Sequence, residues 1–492
     1  MFSVEFDSTS SKSLYVQIYE YIRKGLTDGR IAAGDRLPSI RNMAKILGVS
    51  ITTVRMAYDQ LMVEGYLESK PQSGFYVRQG SAGDHSPNIS FRSENPDQPV
   101  TVMQVSEQRG SMLYDPESFD FVKWKKCMAS VLNDTPELLL LEGDRQGEPA
   151  LRSEIAAYLY KSRGVICEPD QVVVSAGTQQ LVNHIARILK AVGINYVCTE
   201  DPGYMPVRNT FRDWGFGLSS IPVRKDGIEI EKLPVNIRTA VYVSPQNQFP
   251  TGAVMPIGRR HQILNWAESN DSIIIEDDYD SELRYFGMPV PALQGLDGGR
   301  RVVYIGSFSS TLFPAVRISY MVLPRDMAVI YEEMKMNYDQ TCSKTEQLTL
   351  ALFMQRGYYS TNLKKIRNLY SHKLKETLDA ISKYGGEDGF ITAENSQSGI
   401  NLILRVACPV LSETEDEEEV RGLRAQIADA LVSSAAELGI RVRNIDQLDQ
   451  DGCIYLILYY NQIPLDKIEQ TVRNMTENFR KAVQTVQNTI RI

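Results

Sequence analysis

The chain has 492 residues, of which 43% are hydrophobic and 23% charged, as in an ordinary soluble protein too long for one core. It contains no run of 18 apolar residues, and its first residues lack the basic and apolar regions of a signal peptide, so neither a membrane span nor secretion is expected. The six cysteines form no Cys-x-x-Cys pair. This favours reduced thiols in a cytoplasmic protein over disulfides or a metal site.

Charge is distributed unevenly along the chain. Residues 1–80 carry 10 Lys+Arg against 8 Asp+Glu, a net +2, whereas the remainder carries 43 against 53, a net −10. Because nucleic acid attracts basic surfaces, the charge distribution permits nucleic-acid binding only in the N-terminal part.

Three helices and two short strands are predicted within residues 1–78. Apolar side chains repeat at helical spacing over residues 13–28, and Ser39 and Ser50 are positioned to cap a second and a third helix. Two short apolar stretches then flank a turn within residues 65–77. The order helix, helix, tight turn, helix and β-wing predicts a winged helix-turn-helix domain.

Several motifs run in order through this domain: Leu14-Tyr15-x-Gln17-Ile18, Leu37-Pro38-Ser39-x-Arg41, Gly48-Val49-Ser50-x-Thr52-Thr53-Val54-Arg55, Glu64-Gly65-Tyr66 and Gly74-Phe75. Together they resemble the GntR family of DNA-binding regulators. The resemblance implies that DNA is contacted by Arg41, Ser50, Thr52, Thr53 and Arg55, and that Gly74 lets the wing approach the DNA backbone. Hydroxyls at the start of a recognition helix bond phosphates, and arginine reaches guanine edges. The family usually has Arg directly after the Ser, whereas this chain has Ile51, so one DNA contact is expected to be missing.

A change of composition separates this domain from the rest of the chain. Residues 79–110 are polar, aperiodic and rich in Gly, Ser and Pro, which predicts a linker. From residue 111 onward, continuous apolar strands alternate with helices, and this pattern predicts a mostly parallel sheet covered on both faces. We expect a large α/β domain over 111–345 and a smaller α/β domain over 346–492.

Hydroxyl groups and an arginine follow one of these apolar strands. Ser307, Ser309 and Ser310 come directly after the strand, and Arg317 lies a short loop away. Because the guanidinium presents a fork of donors that matches a phosphate, this cluster predicts an anion site, with a serine-rich surface turn as the alternative. Gly177-Thr178-Gln179 stands where another strand becomes a helix, and free backbone N–H groups at such a point favour an anion.

Further polar residues follow other strands, at the sheet edge where ligands bind in such folds. Asp277 and Tyr279 come after a buried strand. The alternative interpretations of this segment are an acidic loop and a magnesium site. Tyr204 belongs to a Pro-Gly-Tyr motif, with a packed core tyrosine as the alternative, and Asn247 lies in the loop before a Phe-Pro-Thr-Gly motif. A carboxylate at a strand end can pair with a protonated pyridine nitrogen.

The order Gly-Thr-Gln, Pro-Gly-Tyr, Phe-Pro-Thr-Gly, Glu-Asp-Asp-Tyr-Asp and Ser-Phe-Ser resembles the cofactor site of fold-type I aminotransferases. Behind a winged helix, it matches the MocR/GabR subfamily of GntR regulators over nearly the whole chain. The resemblance implies that pyridoxal 5'-phosphate (PLP) is bound by Gly177, Thr178, Gln179, Tyr204, Asn247, Asp277, Tyr279, Ser307, Ser309, Ser310 and Arg317.

One landmark of the aminotransferase pattern is missing. The Ser-x-Ser-Lys motif places a Schiff-base lysine where this chain has Ser310, and no lysine occurs from Arg301 to Arg325. A hydroxyl forms no imine and is a poor base at neutral pH, so turnover is not expected. We expect PLP to bind non-covalently or as an external aldimine with an amino acid, or to be absent altogether.

The favoured function is a DNA-binding transcriptional regulator, not an enzyme, whose aminotransferase-like domain senses a PLP-type or amino-acid-derived effector. The alternatives are an aminotransferase with a DNA-binding appendage and a regulator whose cavity is purely structural. The resemblance also implies a domain-swapped homodimer on a double-stranded operator with repeated half-sites. In GabR-like proteins an arginine of the C-terminal domain binds the effector's carboxylate; this chain has Gln447 at that position, and Arg443 is the nearest substitute.

Overall fold

The computed structural model describes residues 12–70, 73–78, 115–285, 290–394, 399–413, 416–445 and 452–490. The chain divides into two compact units, Met1–Val102 and Met103–Ile492. The linker predicted at 79–110 and Gln447 lie outside the described residues, and the division of the second unit at residue 345 stays a prediction. No helix in the described ranges is long and apolar enough to cross a membrane.

The first unit is a three-helix bundle with a small antiparallel wing. Its elements are α1 (Leu14–Thr27), β1 (Arg36–Leu37), α2 (Ile40–Leu47), α3 (Ile51–Val63), β2 (Leu67–Lys70) and β3 (Gly74–Val77), with the strands in the order β1-β3-β2. Ser39 Oγ accepts a hydrogen bond from the Asn42 N–H, and Ser50 Oγ accepts one from the Thr53 N–H, so the two serines cap α2 and α3 as predicted. The predicted winged helix-turn-helix fold is confirmed.

The second unit is built around an eight-stranded sheet. The sheet and its covering helices comprise α4 (Phe121–Asp134), α5 (Pro149–Arg163), β4 (Val172–Ser175), α6 (Thr178–Ala191), β5 (Tyr196–Asp201), α7 (Met205–Asp213), β6 (Gly217–Arg224), β7 (Gly227–Ile228), β8 (Ala240–Val243), α8 (Ile257–Ser269), β9 (Ile273–Asp278), α9 (Leu293–Asp297), β10 (Val302–Ser307), β11 (Ser319–Val322), α10 (Arg325–Met334) and α11 (Lys344–Gln355). The strand order is β4-β11-β10-β9-β8-β5-β6-β7. Strands β10, β9, β8, β5 and β6 pair in parallel, whereas β11 and β7 are antiparallel to their neighbours.

Both faces of this sheet are buried, as the continuous apolar strands predict. Along β10, Tyr304 packs into one core cluster, with α5 and α11, whereas Val303 and Ile305 pack into another, with α6 and α10. Successive strand residues point to opposite faces, so a strand covered on both sides is apolar throughout.

A smaller antiparallel sheet completes the second unit. The elements of this part are α12 (Tyr358–Tyr384), β12 (Ile391–Glu394), β13 (Leu402–Ala407), α13 (Val410–Glu413), α14 (Glu417–Glu437), β14 (Val442–Asn444), β15 (Cys453–Leu458) and α15 (Ile468–Ile490). The four strands pair in the order β12-β13-β15-β14. The second half of α12 packs with α14, α15 and these strands in a core of their own. The predicted smaller α/β part is thus present.

Candidate functional site

One cavity of about 370 Å³ brings together ten of the eleven residues predicted to bind a cofactor, all except Asn247. We call it the strand-end cavity. Its lining consists of Gly177, Thr178, Gln179, Tyr204, Ser244, Phe249, Asp277, Tyr279, Asp280, Ser307, Ser309, Ser310, Arg317, Ser319, Ile400, Asn401, Arg443 and Tyr459.

The topology of the large sheet explains this assembly. Strands β4, β5, β8, β9 and β10 all run in the same direction, so the loops that follow them meet at one edge. The antiparallel β11 starts at that same edge and adds Ser319. The expectation that the candidate residues lie beyond the carboxyl ends of the strands is confirmed.

A positively polarised cradle forms one end of the strand-end cavity. Helix α6 begins at Thr178, and no side chain caps its first N–H groups. Gly177 has a φ of +93°, and a Cβ there would lie 2.5 Å from Arg317 Nη2, so only glycine lets the guanidinium approach the helix start this closely. Arg317 itself has a φ of +49°, which is uncommon for a residue with a side chain.

Serine hydroxyls line this cradle. Ser319 Oγ donates to Ser307 Oγ over 3.0 Å, and Ser307 Oγ also accepts from the Ser309 N–H over 3.3 Å. Helix N–H groups, a guanidinium and hydroxyls are the donors that a phosphate requires. This end of the cavity therefore fits the phosphate group of PLP.

The acidic segment at the end of β9 divides its three carboxylates between the two faces of the sheet. Glu276 accepts hydrogen bonds from the backbone N–H groups at the start of α9, and Asp278 accepts from Arg163 Nε over 2.7 Å and from the Tyr304 hydroxyl over 2.6 Å. Asp277 points to the opposite face and lines the strand-end cavity. In the described part of the chain, no group of three or more His, Cys, Asp or Glu side chains is arranged to hold a metal ion.

Asp277 is a buried carboxyl group with one free oxygen. The Tyr242 hydroxyl donates to Asp277 Oδ2, whereas Oδ1 is buried and accepts no hydrogen bond from the described residues. Burial raises the pKa of Asp277 to about 7, and burial likewise raises the pKa of the neighbouring Glu200 to about 8. A protonated pyridine nitrogen would supply the missing donor, so the residues at this end fit the ring of PLP.

The aromatic and amide candidates have different surroundings. Tyr204 is 40% exposed and meets Phe249 edge to face, with ring centroids 6.2 Å apart. Asn247 does not line the cavity, because its amide Nδ2 donates to Asp280 Oδ2 over 2.8 Å. Asn247 therefore meets the cavity through Asp280, whereas the resemblance implied that Asn247 binds the cofactor itself.

Ser310 lies in the cavity with its hydroxyl already engaged. Its Oγ donates to the Tyr279 carbonyl over 2.8 Å. No lysine is present among the residues that line the cavity in the described structure.

Four lining residues come from the smaller α/β part: Ile400, Asn401, Arg443 and Tyr459. Arg443, the substitute expected for Gln447, is thus at the cavity. Asp280 and Ser319 were missed by sequence reasoning: Asp280 ends the Glu-Asp-Asp-Tyr-Asp motif but was assigned no role, and Ser319 belongs to none of the motifs. The only sequence signal for Ser319 was its place in β11, which is the last strand of the large sheet in chain order.

In the first unit, the predicted DNA-contacting residues lie on three elements: Arg41 on α2, Ser50, Thr52, Thr53 and Arg55 at the start of α3, and Gly74 on β3. Arg41, Thr52 and Arg55 are exposed, whereas the hydroxyls of Ser50 and Thr53 bond each other over 2.7 Å. Ile51 is 45% exposed at the start of the helix, where the family usually has arginine.

The wing adds two basic residues that sequence reasoning missed. Gly74 has a φ of +112°, and a Cβ there would lie 3.4 Å from Arg36 Nε. Arg36 and Lys70 both lie over the Tyr76 ring, with the Arg36 Cζ 6.0 Å and the Lys70 Nζ 4.9 Å from its centroid. Gly74 thus gives room to Arg36, and the wing carries positive charge that DNA phosphates attract.

The two units define a DNA-binding regulator that carries an aminotransferase-like cavity. The family model of bacterial regulatory proteins of the gntR family matches residues 14–77, and that of aminotransferase class I and II matches residues 109–433. The chain belongs to the MocR type of GntR regulators, in which these two domains are joined.

Relatives with the same architecture support this assignment. The chain is 40% identical to YdeL of Bacillus subtilis, an uncharacterized HTH-type transcriptional regulator, over 80% of this chain and 84% of YdeL. It is 34% identical to MocR of Rhizobium meliloti, a probable rhizopine catabolism regulatory protein, over 81% of this chain and 83% of MocR. Among solved structures, it is similar to the α-aminoadipate aminotransferase LysN of Thermus thermophilus, with a TM-score of 0.62 and 21% identity over 76% of this chain and 91% of LysN. That likeness shows the aminotransferase fold.

Proposed function

We propose that this transcriptional regulator binds a phosphopyridoxyl ligand in the strand-end cavity without a covalent bond and responds there to an amino-acid effector. The observation that carries the proposal is that one cavity has hydrogen-bond donors for a phosphate at one end and a buried carboxylate oxygen that lacks a donor at the other. The α6 start and Arg317 offer donors to a phosphate, and the buried Asp277 Oδ1 needs one. An uncompensated buried carboxylate is costly, and a cationic ring would offset that cost.

Each residue has a role in holding the ligand. Arg317, the α6 N–H groups and Ser307 bind the phosphate, whereas Asp277 holds a proton at the ring nitrogen. When bound, PLP supplies an electron-withdrawing ring. Tyr204 lies at the open side of the cavity, where it can cover the ring.

Ser310 supports a sensor rather than an enzyme. Aminotransferase chemistry requires an amine that bonds the cofactor and moves a proton, and the Ser310 hydroxyl does neither. Its hydrogen bond to the Tyr279 carbonyl also directs its proton away from a ligand. A bound amino acid would therefore persist instead of being turned over, and persistence is what a sensor needs.

Arg41 on α2 and Thr52 and Arg55 on the recognition helix α3 are exposed and form the proposed contact with double-stranded DNA. We propose a domain-swapped homodimer that presents two such heads to repeated half-sites of an operator. Sedimentation at micromolar concentration tests the dimer, and nuclease protection on a selected operator tests the repeated half-sites.

Titration calorimetry of the full-length protein with PLP tests the cavity. We expect saturable binding of about one PLP per chain, loss of binding in Arg317→Ala, and no covalent adduct after borohydride treatment, as measured by protein mass. Arg325→Ala is the matched control, since Arg325 is exposed and lies outside the strand-end cavity. Absence of binding, or an adduct in the native protein, would contradict the proposal.

A further inference from the structure

A second buried carboxyl group lines the strand-end cavity. Asp280 is only 2% exposed and lies just past the end of β9, among Tyr279, Asn247 and the backbone of Gly399. The roles proposed above for phosphate and ring do not use it. A buried carboxyl group needs a partner, because removing it from water is costly.

The structure satisfies only one of the two oxygens of Asp280. Asn247 Nδ2 donates to Oδ2 over 2.8 Å, and the other oxygen accepts no hydrogen bond from the described residues. Because Asp280 lines the cavity, its free oxygen is available to a ligand. Burial also holds the pKa of Asp280 well above its usual range, which agrees with an uncompensated site.

The charges of the residues that line the cavity favour a ligand that brings a positive charge to Asp280. Its lining carries two arginines, Arg317 and Arg443, against two carboxyl groups, Asp277 and Asp280. A phosphate adds a charge of about −1.5 to −2 and engages Arg317. A protonated ring nitrogen compensates Asp277, so Asp280 is left without a positive partner. An amino acid with one carboxylate and two ammonium groups carries the net positive charge that is missing.

We propose that the amino-acid effector of this cavity is a diamino acid, whose carboxylate pairs with Arg443 and whose second ammonium group pairs with the free oxygen of Asp280. This inference rests on the proposed function, because it needs the phosphopyridoxyl ligand in the same cavity. Asp280 then determines specificity, since an effector without the second ammonium group leaves its carboxyl group unpaired. Its bond to Asn247 fixes the orientation in which the free oxygen meets the ligand.

Calorimetry of the full-length protein with PLP at saturation tests the inference. The probes are L-ornithine and L-norvaline, which differ only in the terminal amine, and the heat of each with PLP alone is subtracted. We expect L-ornithine to bind at least about tenfold more tightly than L-norvaline, the equivalent of roughly 1.4 kcal/mol. In Asp280→Asn, which keeps an oxygen for Asn247 but removes the negative charge, this ratio should fall to near one. The control Asp213→Asn changes an exposed aspartate outside the cavity and should keep the ratio.

The outcomes separate the two proposals. If PLP binds but L-norvaline binds as tightly as L-ornithine, if neither amino acid binds, or if Asp280→Asn keeps the preference, the diamino-acid effector is wrong and the PLP site stands. If L-glutamate binds more tightly than L-ornithine, the charge argument is overturned as well. If PLP itself does not bind, the proposed function fails and this inference fails with it.

Discussion

In the proposed function, Ser310 is the residue that separates this cavity from that of an aminotransferase. A lysine at this position would reach into a cavity that already provides the contacts proposed for phosphate and ring. We therefore expect Ser310→Lys to form a covalent adduct with PLP that borohydride makes permanent. Absorption in the visible and the mass of the peptide containing residue 310 are the measurements.

The native protein and Ser153→Lys serve as controls for this experiment, because Ser153 is exposed on α5 and lies outside the cavity. A modified peptide in Ser153→Lys but not in Ser310→Lys would show that the strand-end cavity does not position PLP.

Asp277 makes the stability of the ligand-free protein depend on pH. Burial raises the pKa of its carboxyl from 3.8 to about 7, so the folded state retains a proton that the unfolded state releases within this range. Its contribution to stability is complete below about pH 4 and is lost as pH rises through 7. Relative to Asp277→Asn, the native protein should lose free energy of unfolding between pH 5 and pH 8, as measured by urea denaturation. Parallel pH profiles for the two proteins would refute this role of Asp277.

Among the elements, α2 and α3 have the clearest functional prediction. Arg41→Ala together with Arg55→Ala should weaken binding to a selected operator, by about 1–3 kcal/mol for each arginine that reads a base. Lys24→Ala in α1 removes a positive charge from an exposed site that does not belong to the recognition helix, and it controls for general charge loss. A gel-shift titration in which the double variant binds like Lys24→Ala would rule out the assigned interface.

Helix α12 contributes Lys373 to a buried ion pair with Asp115, which lies near the start of the second unit. Lys373 is fully buried, pairs with Asp115, and donates from Nζ to the carbonyls of Asn461 over 2.9 Å and Ile463 over 2.6 Å. Removing one partner of a buried pair leaves an uncompensated charge, which costs about 3–5 kcal/mol. Lys373→Met should therefore lower the free energy of unfolding by this amount in urea denaturation, whereas Lys375→Met, exposed on the same helix, should change it little. Equal stability of the two variants would contradict this role.

The elements also show how far the sequence predicts the structure. The strands β4, β5, β8, β9 and β10 are short apolar runs, and the sequence indicates all five. Strand β6 is not indicated, because its alternation of Ser and Pro with apolar residues resembles a loop, and β11, which is only four residues long, is not indicated either. Helices α11 and α12 are separate because Gly357, between them, adopts a φ of +73°.

The candidate site was predicted best where residues follow strands. Strand ends meet at one edge, so the sequence order alone brings ten candidates to one cavity. The positions of Asn247 and Asp280 could not be predicted in this way, because they depend on a side-chain hydrogen bond between two loops, which no periodicity encodes. The contribution of Arg443 depends on how the smaller sheet packs against the larger one, and local patterns do not encode this either.

In the whole molecule, a DNA-binding unit and an aminotransferase-like unit are joined in one chain, and we propose that ligand binding in the second is coupled to DNA binding in the first. Coupling requires that the ligand bind the DNA-competent and DNA-incompetent states with different affinities. In the proposed function a bound amino acid is not turned over, so the amount of bound effector would follow its concentration.

The measurement that tests this claim most directly is the affinity of the full-length protein for a selected operator, with and without PLP and L-ornithine. We predict at least a fivefold change in the dissociation constant for the native protein, equivalent to about 1 kcal/mol of coupling. We predict no change for Arg317→Ala, which should bind the operator with one fixed affinity. Identical operator affinity of the native protein under all ligand conditions, with PLP shown to be bound, would contradict the account of a ligand-responsive regulator.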